Sequence, residues 1–210
     1  MTLALTRCQL ALLLGSQRWL PPVLLYAILL GAGWFGGQQL GDSLGWCAAM
    51  LVPVCGWITR AATGMEPPAA RTVLAAVAGP RQVQLACLAV ALGFGAVLGA
   101  AGVTFETAVS GGATARVLAD GATAVLVGVL TGTALGTLCG PPLVRRGGYG
   151  VLALAALSLA AMVAPVSPLN QAVRAVFTST HAHTTLPTTP AALAALLLAA
   201  SAALSARAAR

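Results

Sequence analysis

Two histidines, five cysteines, four acids and a run of threonines are the side chains on which this 210-residue chain could build chemistry. His181 and His183 have the spacing of a surface metal pair, but no third ligand stands near them, so no metal site is expected. Cys8, Cys47, Cys55, Cys87 and Cys139 are scattered through apolar runs, with neither a C-x-x-C pair nor a histidine at ligand spacing. They read as small buried apolar side chains. Asp42, Glu66, Glu106 and Asp120 fall toward the ends of apolar runs. An ion- or proton-driven carrier, an intramembrane zinc protease and a six-span serine protease each need ionisable or catalytic groups within the runs. No catalytic constellation is present, and the chain is not expected to be an enzyme.

Thr131, Thr133 and Thr137 interleave with Gly128, Gly132 and Gly136, a strict four-residue spacing that Gly140 continues. Small residues at this spacing let helix backbones approach closely, inside one bundle or across a dimer seam. The threonine hydroxyls have two uses: bonding back to the preceding turn of their own helix, or lining a translocation path. Ala91, Gly95 and Gly99 repeat the small-residue spacing in the preceding apolar run.

The elements that hold these residues follow from composition. The chain is 59% hydrophobic and 7% charged, against about 25% charged in an ordinary soluble domain. Too few charges remain to keep a soluble surface wet, so the expected class is an all-α polytopic membrane protein with one transmembrane domain over 1–210. All eleven basic residues are arginine. They stand at the ends of apolar runs and not in a basic patch with aromatics, a topology signal that excludes nucleic acid as a partner. No secretory leader is evident.

Six spans are expected at about 19–35, 43–58, 83–103, 121–139, 149–166 and 190–206, each near the length needed to cross the hydrocarbon. Residues 2–17 read as an interfacial helix ahead of the first span, with a crossing helix as the rival; Thr2, Thr6, Gln9 and Ser16 would form its polar side. Thr104 to Asp120 reads as a polar loop, and Pro168 to Phe177 either as a short helix resting on the outer leaflet or as an ordinary ordered loop. With both termini cytoplasmic, Arg7, Arg18, Arg60, Arg71, Arg81, Arg145, Arg146, Arg207 and Arg210 lie inside, and Arg116 and Arg174 outside. Nine against two is the positive-inside bias of a multi-pass cell-membrane protein.

This orientation makes the stretch from Glu66 to Arg81 cytoplasmic. Glu66 favours a helix N-terminus, Pro67 fits the first helical position, and Gly79-Pro80 ends the helix. Ala70, Val73, Leu74 and Val77 fall at i, i+3, i+4, i+7, an apolar stripe expected to pack on the bundle. A capped amphipathic helix between two spans is a surface linker or a docking element.

With residues 2–17, 67–78 and 168–177 placed around six spans, the plan of the whole chain resembles a half-size ABC-2 type permease, the membrane subunit of a bacterial ABC exporter. The likeness is one of architecture. The resemblance implies that 67–78 is the coupling helix, that Glu66, Arg71, Arg81, Arg145 and Arg146 contact an ABC ATPase subunit, and that Val73, Leu74 and Val77 pack against the spans. It also implies a second permease copy, in a homodimer in preference to a heterodimer, around a path for a hydrophobic or amphipathic cargo. The chain has no Gly-x-x-x-x-Gly-Lys-Ser/Thr motif, so ATP and Mg would be bound by the partner ATPase and no cofactor by this chain. The alternative is a non-transporting accessory or immunity subunit that docks a partner complex through the same helix.

Overall fold

A computed structural model describes residues 2–33, 39–110, 114–141, 143–144, 147–179 and 188–208. Trp34, Gly111, Gly112, Arg145, Arg146, His181, His183 and Arg210 lie outside the described residues. The described chain is all-helical, with helices α1 (Thr2–Gly15), α2 (Leu20–Gly33), α3 (Leu40–Thr63), α4 (Pro68–Ala78), α5 (Pro80–Ser110), α6 (Ala115–Cys139), α7 (Gly147–Val163), α8 (Pro168–Ser179) and α9 (Thr188–Ala208).

Three helices are long and apolar enough to cross a bilayer: α3, α5 and α6. At 24, 31 and 25 residues they run about 36, 46 and 38 Å at 1.5 Å per residue. Two further pairs reach that length only together, α1 with α2 across a 72° bend and α7 with α8 across a 44° bend. The bend between α1 and α2 passes through Gln17, a non-glycine residue at φ 54°. The chain is therefore an all-helical membrane protein with three to five candidate spans among the described residues.

The bundle is organised around α3, which packs on α1, α2, α5, α6, α7 and α8. Its interior positions Leu44, Cys47, Ala48, Leu51, Val54, Cys55 and Ile58 are closed off from solvent. Its main partner is α6, and the glycine ladder explains why. A Cβ on Gly132 would lie 2.6 Å from the Val52 carbonyl oxygen, and one on Gly136 2.5 Å from that of Gly56. Gly128 faces the Ala48 carbonyl oxygen in the same way. The obstacle in each case is the backbone of α3, so only glycine allows this approach. The ladder packs within the bundle and is not available to a dimer seam. On α5, Gly95 and Gly99 face Val129 and Val125 of α6.

Two expectations are corrected. Residues 104–110 belong to α5 and 115–120 to α6, so the described part of the polar loop expected over Thr104 to Asp120 is helix except at Thr114. Glu106 and Asp120 are both buried, about 6–8 Å from the adjacent helix ends, and Ser43 hydrogen-bonds the Glu106 carboxyl. In α8 the apolar positions Leu169, Ala172 and Val176 are buried in the bundle against α3 and α6, so that face does not rest on the outer leaflet. Asn170 Nδ2 donates to the Met162 carbonyl, 2.6 Å away, and ties α8 back to the end of α7.

Candidate functional site

The site is built where α3 ends and α5 begins. Gly64 closes α3 by donating to the carbonyls of Arg60 and Ala61. Three further residues lead into α4, and Gly79 alone separates α4 from α5. Gly79 sits at φ 85°, ψ 142°, a conformation that only glycine adopts readily. These short connections hold α4 against the ends of its neighbours, and α5 is the element it packs on.

The helix begins at Pro68, with Pro67 as its N-cap and no side-chain cap. Glu66 does not cap it. Its carboxylate accepts a hydrogen bond from Nε2 of Gln9 on α1. Arg71 reaches inward as well, donating from Nη1 to the Thr63 carbonyl at 2.8 Å and from Nη2 to Gln84 Oε1 at 2.9 Å. An arginine on a terminal carbonyl of α3 also meets the negative end of that helix dipole. Ser16 and Arg18 complete the contact between the α1–α2 corner and the α3–α4 connection, through Met65 Sδ and the Gly64 carbonyl. α4 is thus latched to α3 and α5 through Arg71, and the connection ahead of it is tied to α1 and the α1–α2 corner.

That latch sets the rotation of α4 and corrects the expected stripe. Arg71, Leu74, Ala75 and Ala78 form the half-buried face. Val73 and Val77, expected to pack on the bundle, are 64% and 70% exposed. Of the three predicted packing residues, only Leu74 lies on the inward face. The helix is turned by one residue, about 100°, because two charge-assisted bonds from Arg71 outweigh the burial of two valines. Ala69, Ala70, Thr72 and Ala76 share the exposed side with the valines, and Arg81 is exposed just beyond it.

The latch is incompletely satisfied. Gln9 and Gln84 are 1% and 3% exposed. Gln9 Oε1 and Gln84 Nε2, one acceptor and one donor, have no hydrogen-bond partner. Buried amides with spare bonding capacity can re-pair when a neighbouring element shifts.

Gln9 also overturns the expected polar side of α1, since it is buried beside Leu13 while Leu3, Leu10, Leu12 and Leu14 are exposed. The signal for the latch was present in the sequence only as four polar residues, Gln9, Glu66, Arg71 and Gln84, spread over three segments.

The threonine series stays inside the bundle. Thr131, Thr133 and Thr137 are 3%, 0% and 1% exposed. Thr133 and Thr137 donate to the Val129 and Ala134 carbonyls, both at 2.7 Å, in their own helix. Thr131 Oγ1 is buried without a partner. None of the three lines the cleft between α2, α3 and α7 or the one between α1, α5, α6 and α9. No group of three His, Cys, Asp or Glu capable of holding a metal occurs among the described residues.

Compared with known protein families, with curated proteins and with solved structures, the chain finds no match.

Proposed function

We propose that this chain is the membrane subunit of an ABC exporter of the ABC-2 type, with α4 as the coupling helix that docks into a separate ATPase. In this reading α2, α3, α5, α6, α7 and α9 are the six spans, α1 lies along the cytoplasmic interface, and both termini are cytoplasmic. Two copies enclose the path, and ATP-driven motion of the ATPases is passed through α4 to α3 and α5.

One observation carries the reading: α4 presents an exposed apolar side, Val73 and Val77, while its one charged residue, Arg71, is turned inward. A bare linker would gain by the opposite arrangement, with valines packed and charges in water. Exposed apolar residues on a latched helix fit a partner's groove. Compared with the sequence expectation, the ATPase contact moves from Glu66 and Arg71 to Val73 and Val77, with Arg81 at its edge. The nearly direct joins of α4 to α3 and α5 suit a lever, because a displaced α4 must pull on both helices.

The test is to purify the chain from its host membranes in mild detergent and assay for an ATP-binding subunit in equal amount. Val73→Asp with Val77→Asp should release that subunit while helicity and monodispersity are kept, since both side chains are exposed. A wild-type chain that never brings an ATPase with it would overturn the reading.

A further inference from the structure

A cleft of about 470 Å³ lies between α2, α3 and α7. Both α2 and α7 pack on α3 but do not form a packed pair with each other, so the cleft opens sideways between them. Arg18 and Arg60 line one end, and among the described residues no acid lines any part of it. That end is common to all three helices: Arg18 bonds the Gly64 carbonyl just past α3, and the Arg60 guanidinium lies against Gly150 near the start of α7.

From that charged mouth the lining becomes apolar along each helix. On α3 it runs from Arg60 back to Pro53, and on α7 from Val151 to Ser158, in each case seven residues or about 10 Å. On α2 it runs inward to Leu25. Ser158 is no polar exception, because its hydroxyl is bonded to the Leu154 carbonyl of its own helix. Trp57, on the α3 floor, is 42% exposed, as suits an aromatic at the boundary between headgroups and hydrocarbon.

We propose that this cleft binds one anionic phospholipid, with the phosphate between Arg18 and Arg60 and the first part of one acyl chain along Leu25, Pro53 and Leu154. The charge calls for an anion and arginine suits a phosphate; the apolar run of about 10 Å calls for a chain attached to it, and the sideways opening admits a molecule from the bilayer. The site needs the membrane but no ATPase, so it stands or falls independently of the transport reading.

The test uses the full chain in detergent, with native mass spectrometry against phosphatidylglycerol and phosphatidylcholine of matched chains. Two variants at exposed positions are used: Arg18→Gln removes charge from the mouth and keeps an amide donor for the Gly64 carbonyl, and Ala155→Trp fills the apolar wall. The expected result is preferential retention of phosphatidylglycerol, weakened about tenfold by Arg18→Gln and abolished by Ala155→Trp. Equal retention of both lipids, or insensitivity to both variants, would overturn the proposal. So would displacement by inorganic phosphate at equal concentration, which would mean that the mouth reads an anion alone. A dimer that excludes the lipid and is broken by Ala155→Trp would overturn it in favour of a second copy.

Discussion

Gly150 of α7 lies directly against the guanidinium of Arg60 on α3: a Cβ at Gly150 would sit 2.7 Å from Nη2 and 2.9 Å from Cζ. The Cys139 carbonyl oxygen, 2.6 Å from the same point, closes the other side. The ends of α3, α6 and α7 therefore meet at one arginine, and the glycine is what lets α7 approach it. Gly150→Val is expected to destabilise the fold by about 1–3 kcal/mol, because one obstacle is backbone and the other a half-buried cation. Gly148, two residues earlier with nothing within 4 Å, is the matched control, and Gly148→Ala should change stability by less than about 0.5 kcal/mol. Thermal unfolding in detergent, followed by tryptophan fluorescence, measures both; equal effects would refute the packing argument.

The two glycine series should differ in their tolerance. On α6 the obstacles to a side chain at Gly132 and Gly136 are carbonyl oxygens of α3, which cannot turn away. On α5 the obstacle at Gly99 is a Val125 methyl, which has other rotamers. Gly132→Ala should therefore cost about 2 kcal/mol or more, and Gly99→Ala clearly less. Gly93→Ala on α5, where nothing lies within 4 Å, should be neutral or slightly stabilising through helix propensity. Melting temperatures that rank the three otherwise would show that the α3–α6 contact is looser than the structure has it.

Among the described residues most helices lie where the sequence placed them, but not always with the expected faces. Apolar run length and the Gly-Pro punctuation mark the long helices and α4, since those signals are local, while 168–177 was equally open to a loop. The rotation of α4 was illegible because a four-residue stripe, Ala70, Val73, Leu74 and Val77, competed with one arginine whose partners, Thr63 and Gln84, are supplied by other helices. The buried Glu106 and Asp120 were misplaced for the same reason, since a polar run reads as a loop until a neighbouring helix is known to cover it. The four-residue glycine spacing was visible, but spacing alone does not name the backbone it accommodates. Only the α3 carbonyls do that.

Arg71 should be the residue that keeps α4 in place. Removing its bonds to the Thr63 carbonyl and Gln84 leaves a buried glutamine with no charged partner and frees the helix on its short joins. Arg71→Ala is expected to speed hydrogen exchange of the 68–78 amides by about 10- to 100-fold, the effect of losing one or two charge-assisted hydrogen bonds. Exchange in the α3 core, around Leu51 and Val54, should stay the same. Thr72→Ala is the control, because Thr72 is exposed and bonds only the Ala69 carbonyl within α4. Unchanged exchange in Arg71→Ala would mean that packing of Leu74 alone holds the helix.

Thiol accessibility tests the bundle as a whole. Cys8 on α1 is exposed, whereas Cys47, Cys55, Cys87 and Cys139 are buried on α3, α5 and α6. Reaction with a thiol reagent requires access to the sulfur, so the folded chain in detergent should take up one maleimide per molecule quickly and the other four only on denaturation. Cys8→Ser should abolish the fast reaction. The same residue reports orientation in cells: with α1 on the cytoplasmic face, a membrane-impermeant maleimide should label Cys8 in inside-out vesicles and not in intact cells. Fast labelling of two or more thiols in the folded chain would mean that α3, α5 and α6 do not close on one another as described. Labelling of Cys8 from outside would invert the orientation, and with it the assignment of α4 as a cytoplasmic coupling element.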